Sequence, residues 1–369
     1  MTPSAPDRQL DDPAAARTTA FLRPITDIDG AAVWDLLQRG QADVTGMSSL
    51  PTSAAEAEER CAEVAATVAT LEAGRTATNG PDTSAPLLLA LEEPDGTLLG
   101  LTGCTIKDGI VNHSVEIGTS TGGRGLSVTG RERAWTATEL NATYLAAEAR
   151  GRGLGSLLSR GRLAFLVPVV DQVPALLVSH LRGPMGTGPS APFWSRFGRE
   201  VLPEWPTSVR AEAGLVEEPE RLGELTGHTL AVDPSLLDVV GSVHRLSLPA
   251  YRILQAEGFV SNGMYDPVDA GPTVTCDLDA TTTWRRHRLL TVAAAPDAVD
   301  PLDAIVTNGA VAAFRACRTT IGLPADGVSV ALTTDARRAL TVAAGDRAVV
   351  VAGEPQAGES GTRPGRSHP

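Results

Sequence analysis

Six consecutive residues constrain this chain most: Arg150-Gly151-Arg152-Gly153-Leu154-Gly155, between a strand-like run, Glu139–Leu145, and a helix-like run to Leu166. In the second run Leu154, Leu157, Leu158 and Phe165 fall on one face of a 3.6-residue period. Glycines at 151, 153 and 155 let backbone approach a ligand closely. The first turn of a helix offers unpaired N–H groups to an anion. A strand, turn and helix of this kind is fit to hold a phosphate. Two other readings share the residues. A dinucleotide fold would want an acidic residue about 20 positions on, and Asp171 stands there, but in a segment broken by Pro168. A tight turn that only packs a helix on a sheet would carry the same glycines.

The flanking sequence sets this unit in a larger pattern. Residues 1–19 and 354–369 are rich in Pro, Gly, Ser, Ala and charge and read as disordered tails. Phe21–Pro24 reads as a first strand, and Asp27–Leu37 as a helix capped by Asp27 or Asp29. Ala54–Leu71 is helical by propensity, and Ser53 with Glu56 has the spacing of a capping box. Leu87–Glu92 and Leu98–Ile106 form a hairpin about Pro94-Asp95-Gly96. Val173–Ser179 is a strand and Pro192–Gly198 a short helix. Helix starts follow at Asp233-Pro234 and at Ser247-Leu248-Pro249, the latter running to a stop at Gly258. From Thr273 the chain is rich in Thr, Val and Ala and reads as strands with short connections. The order is that of an α+β fold.

A length of 369 residues is ample for a large core and points to about two domains. The net charge of -13 argues against nucleic acid and against an anionic membrane surface. Cys61, Cys104, Cys276 and Cys317 are far apart, without paired spacing, as expected of buried free thiols in a reducing cytosol. Residues 1–15 hold no apolar signal core, and no apolar stretch approaches the ~20 residues that span a bilayer. These features predict a cytoplasmic protein. The six histidines are dispersed, and no metal site is expected.

The spacing Arg150-x-x-Gly153-x-Gly155, with strand before and helix after, resembles the acyl-CoA loop of the GNAT acyltransferases. The resemblance implies a GNAT-like mixed sheet flanked by helices over residues 20–270, and composition sets a β-rich C-terminal segment, 271–353, after it. Further segments narrow it. Met47-Ser48-Ser49-Leu50-Pro51, Thr138-Glu139-Leu140 with Tyr144-Leu145, and Leu157–Arg160 with Arg162 resemble, in order, segments of the arginine N-succinyltransferase family of arginine catabolism. So do Leu181-Arg182-Gly183 with Pro192-Phe193-Trp194, and Gly241-Ser242-Val243-His244 with Ala256–Phe259. Asp269–Thr273 and Gly345-Asp346-Arg347 complete the set. The region between Val111 and Trp135 departs from the family by being shorter.

What the resemblance implies is transfer of succinyl from succinyl-CoA to the α-amino group of arginine, by direct attack of the amine on the thioester. A different acyl-CoA or amine, such as ornithine, and a non-catalytic acyl-CoA-binding subunit are the alternatives. Homo- and hetero-oligomers both stay open. His244 corresponds to the family's proton donor, and the family's succinyl-CoA-binding leucine falls at Thr143. Arg150, Gly151, Arg152, Gly153, Leu154 and Gly155 are the candidates for holding the CoA phosphates. Arg182 is a candidate to pair a carboxylate of substrate, and Tyr251 is a second-choice acid. Phe193 and Trp194 read as core.

Overall fold

The computed structural model describes residues 19–40, 49–119, 126–184, 192–196, 209–210, 215–216, 223–224, 226–232, 238–294 and 301–352. The expected tails (but for residue 19), Met47-Ser48, Phe197-Gly198 and the helix start at Asp233-Pro234 lie outside these residues.

The chain runs through β1 (Phe21–Pro24), α1 (Gly30–Arg39), α2 (Ala54–Glu72), β2 (Thr83–Glu92), β3 (Leu98–Thr119) and β4 (Leu126–Leu145). Then come α3 (Leu154–Leu166), β5 (Leu176–His180), the short α4 (Pro192–Arg196), and the small strands β6 (Val209–Arg210), β7 (Leu215–Val216) and β8 (Thr229–Val232). After them stand α5 (Leu248–Glu257), β9 (Val260–Tyr265), β10 (Pro272–Asp277) and α6 (Thr282–Arg286). The last part holds β11 (His287–Val292), β12 (Leu302–Thr307), β13 (Ala316–Gly322), β14 (Ser329–Leu332), α7 (Thr334–Leu340) and β15 (Arg347–Ala352). The fold is α+β, as expected: a mixed sheet, helices against it, and further strands at the C-terminal end.

Local chemistry accounts for most boundaries. Gly96, at φ +90°, makes the β2–β3 turn, and Asp95 Oδ1 accepts from Thr97 N at 2.9 Å. Ser53 caps α2 by accepting from Glu56 N. The Glu56 carboxylate reaches one residue further back than a capping box would take it, to Thr52 N and Oγ1. Gly258 ends α5 in the left-handed conformation. Asp29 stands before α1, but its side chain caps nothing there. It accepts instead from Arg23 and from Thr26, because Arg23 is half-buried and needs a carboxylate.

The β3–β4 hairpin is far longer than the runs at 98–106 and 139–145 predict, with paired residues from Gly100↔Leu145 to Thr119↔Leu126. Gly109, at φ +67°, looks like a turn residue beside Asp108 but lies at a register shift within β3. Outer positions such as Arg131, Glu132, Arg133 and Ala134 are exposed, so the extension lacks the apolar alternation of a half-buried strand.

The last five strands close on themselves. β12 pairs β15, β15 pairs β11, β11 pairs β14, β14 pairs β13, and β13 returns to β12. Leu290, Val292, Ala304, Val306, Cys317, Ile321, Val330, Ala348 and Val350 fill the barrel. Alternate residues Ile305, Ala316 and Val351 point outward and join the main core with α3. β1 ties the two cores, since Phe21 packs in the barrel and Leu22 in the main core. β10, the first strand of the segment expected to be separate, pairs β5 and β9 of the main body. By strand pairing β10 therefore goes with the main body, and the barrel strands begin with β11 at His287.

Phe314, fully buried beyond β12, meets Phe165 of α3 edge-on at 5.0 Å between centroids. Phe314→Ala is expected to cost about 3–5 kcal/mol of stability. Urea unfolding would read this as a lower midpoint.

Candidate functional site

β4 and β5 are parallel neighbours for two residues only, Thr138↔Leu177 and Glu139↔Val178. Beyond Glu139 they part, and residues 140–145 keep β3 on one edge and face a cleft on the other. A strand edge without a partner must satisfy its polar groups some other way. Here side chains do so. Ser179 Oγ donates to Leu140 O (3.1 Å), Arg162 Nη1 to Asn141 O (2.9 Å) and Arg150 Nε to Leu145 O (3.2 Å), while Ala142 N donates to Ser49 Oγ (3.1 Å).

The cleft is a cavity of about 510 Å³ walled by β4, α3, the end of β5 and α5. Its charged lining is four arginines, 150, 162, 182 and 245, against Glu139, Asp266 and Asp269. Glu139 is held by Lys107 Nζ at 2.5 Å. Burial opposes its ionisation, but His180 and Lys107 outweigh that and keep its carboxyl below the ordinary range. Burial first, then Asp266, pushes Asp269 up to about 7, so near neutral pH it is partly uncharged. In a chain of net charge -13 the cleft is locally positive.

At one end lies the glycine turn. Gly151 and Gly153 both take φ +76°, a conformation that favours glycine. Gly155 lines the cavity, and a Cβ there would meet nothing within 4 Å. The N–H groups of Leu154 and Gly155, in the first turn of α3, have no acceptor within the helix's own ladder. Arg150 lines the cavity; Arg152 is turned to Glu93, with Nη2 at 2.7 Å from Oε1. Leu154 packs into the core.

At the other end three distant segments are knotted by backbone bonds. His244 N donates to Arg182 O (2.7 Å), Gly241 N to Ala270 O (2.9 Å) and Leu181 N to Pro272 O (3.0 Å). Gly183 and Gly271 allow the crossing: a Cβ on Gly271 would stand 1.8 Å from Leu181 O. The buried Asp269 Oδ1 accepts from Gly271 N at 2.8 Å. The knot sets His244 beside Arg182. The cavity is lined by Arg182, Arg245, Leu246 and Ser247, not by His244, which stands partly buried at its rim. Its Nδ1 accepts from Leu246 N at 3.4 Å. Burial, then Arg182 and Arg245, lower its pKa from the ordinary 6.5. Burial likewise lowers Arg182, against the pull of Asp269, and the Arg182 Nε is buried without a hydrogen-bond partner.

Of the residues singled out from sequence, Thr143, Arg150, Gly155 and Arg182 line one cavity. Gly151, Gly153 and Leu154 shape its entrance turn without lining it, and Arg152 is engaged elsewhere. The Thr143 hydroxyl is held by Thr102 at 3.1 Å and by Arg162 at 3.3 Å. Tyr251 packs against the core away from the lining, and Phe193 and Trp194 are buried. Sequence reasoning missed Arg162 and Ser49 as parts of the site. A signal for Arg162 was present, because it lies four residues past Leu158 on the apolar stripe of α3. Among the described residues no group of His, Cys, Asp and Glu could hold a metal, and no helix is long and apolar enough to cross a membrane.

Residues 20–283 match the family model described as arginine N-succinyltransferase beta subunit, and residues 288–352 that of its C-terminal domain. The arginine N-succinyltransferase of Enterobacter sp. (strain 638) is 30% identical over 183 residues, 48% of this chain and 53% of that protein. That of Shigella sonnei (strain Ss046) is 30% identical over 159 residues, 42% of this chain and 46% of that protein. The chain spans about half the length of the curated relatives it matches. Among solved structures, arginine/ornithine succinyltransferase subunit AI from Pseudomonas aeruginosa shares the fold, with TM-score 0.72, over 91% of this chain and 99% of that one at 23% identity.

The knot gives a direct test of its geometry. Gly271→Ala forces a methyl onto the Leu181 carbonyl, and overpacking of this kind costs about 1–3 kcal/mol or more. Urea denaturation should show the loss, and an unchanged midpoint would mean that the crossing is looser than described.

Proposed function

This chain belongs to the arginine N-succinyltransferase beta subunit family, and we propose that it transfers succinyl from succinyl-CoA to the α-amino group of arginine. The observation that carries the reading is the cleft where β4 and β5 part, with a helix N-terminal turn at one end and His244 with Arg182 at the other. A long, phosphate-bearing thioester fits between those ends.

Each residue then has a task. First-turn N–H groups of α3 and Arg150 hold the pyrophosphate. The open edge of β4 at 141–143 receives the thioester, and the Ala142 N–H, which donates to Ser49 Oγ, is the backbone donor there that exchanges that acceptor for the carbonyl oxygen as it gains charge. Arg182, with an unused buried donor, pairs a carboxylate, that of the succinyl group or of the amino acid. The neutral amine attacks the carbonyl carbon, the C–N bond forms and the C–S bond breaks. The proton shed by the nitrogen reaches the thiolate. His244 takes and returns that proton: its lowered pKa makes the neutral imidazole the resting form, ready to accept first. The cytoplasm is the compartment that four buried free thiols suit.

The test is free-thiol release from succinyl-CoA with arginine, with ornithine, lysine and acetyl-CoA in parallel. Arginine-dependent release is expected, and His244→Ala should lower it by about 10²–10⁴-fold. No release with any pair would sink the reading. Because the neutral imidazole is the active form, kcat/KM, corrected for the fraction of arginine whose α-amine is neutral, should hold down to pH 6.5 and fall only below it, and His244→Ala should abolish that remaining acid limb. Gly155→Ala puts a methyl into the open space before the helix turn. The fold should gain up to about 1 kcal/mol from the helical alanine while CoA binding, read by calorimetry, weakens about tenfold.

A further inference from the structure

Arg162 is 3% exposed, on the core-facing stripe of α3. Burying a guanidinium is costly unless a carboxylate and hydrogen bonds compensate it. Among the described residues it makes no ion pair, and its Nε is buried without a partner. Its one well-used nitrogen is Nη1, which donates to Gly103 O (2.7 Å), Asn141 O (2.9 Å) and Thr143 Oγ1 (3.3 Å). All three acceptors belong to one irregularity. Gly103 opposes Asn141 and Leu101 opposes Tyr144, so Ala142 and Thr143 together face Thr102. That is a β-bulge, and Ala142 holds φ +52° in it, uncommon for a residue with a side chain.

A bulge re-aims backbone, and a strained one persists only where its surroundings over-determine it. Arg162 supplies three of the bonds, and Ser49 Oγ on Ala142 N and Thr102 on Thr143 supply two more. The bulge, Ser49 and Arg162 all line the cleft, on the edge that β5 abandons. A plain core contact would use an apolar side chain here at less cost in stability. Burial lowers the Arg162 pKa to about 10, which leaves it charged at neutral pH.

We propose that Arg162 is a positioning residue for acyl transfer: it fixes the 141–143 bulge against the thioester and sets an unpaired positive charge beneath the oxygen that becomes negative. This rests on the acyl-transfer reading above. Positioning of donors and charge of this kind acts on the chemical step and little on binding.

The test compares Arg162→Met, similar in length without charge or donors, and Arg162→Lys, which keeps the charge on one donor head. Thiol release, CoA affinity by calorimetry and amide hydrogen exchange at 141–143 are measured on the full chain. For Arg162→Met the expectation is an unfolding midpoint no lower than wild type, kcat down about 10²-fold, and CoA affinity within about threefold. Exchange at 141–143 should quicken, and Arg162→Lys should recover part of kcat. A folded Arg162→Met with wild-type kcat, or one whose kcat and CoA affinity fall in proportion, overturns the proposal. Should Arg162→Met not fold, Arg162→Lys decides: reduced kcat with CoA affinity kept supports it, and unchanged kcat overturns it. If wild type releases no thiol with any donor, the acyl-transfer reading fails by itself. Exchange then decides the bulge-holding part, quickened in support and unchanged against.

Discussion

Everything at the cleft follows from a parallel strand pair that stops after two residues. Once β5 leaves β4 at Glu139, six residues of β4 have backbone groups with no strand to meet. Ser49, Arg150, Arg162 and Ser179 reach in from two loops, α3 and β5 to repair that edge. The open edge is thus a structural cost and the reason for the cavity at once. Were β5 to continue alongside β4, the sheet would be more regular and the space would close. The knot of 181–183, 241–244 and 269–273 does the opposite work at the far end, holding β5's exit away from β4.

The same trade between stability and use shapes the charges. Three side chains sit in states that a core alone would not select: a buried guanidinium without a carboxylate, a carboxyl raised to about 7, and an imidazole lowered between two arginines. The first two line one cavity and the third stands at its rim, although the chain as a whole is acidic. Perturbed groups gathered in a cleft are a physical mark of a working site.

How much of this could be seen in the sequence depended on how local its cause was. The glycine turn was legible because positive φ at 151 and 153 is a property of single residues, and α5 because Gly258 terminates it. The β2–β3 turn was legible for the same reason at Gly96. The outer half of the β3–β4 hairpin was not, since its residues are solvated on much of their surface and show no apolar alternation. Closure of the barrel depends on which strand meets which, and a run of Thr, Val and Ala carries no such address. Asp29 looked like a cap and serves Arg23 instead, a choice made by a partner six residues away. Arg162 stood in plain view on an apolar stripe, yet its purpose needs the bulge, which only the strand register reveals.

β1 has only four residues, and its two sides belong to different cores. Phe21 lies opposite Cys317 and Leu22 opposite Ala316, near the two ends of the described chain. Such a contact closes one of the largest loops the molecule can make, and its entropy must be met before any reward arrives. During synthesis β1 can pair β2 early, but its other edge waits until β13 has left the ribosome. Neither core is complete before then, and the nascent chain has to keep its apolar faces from other partners for most of its elongation.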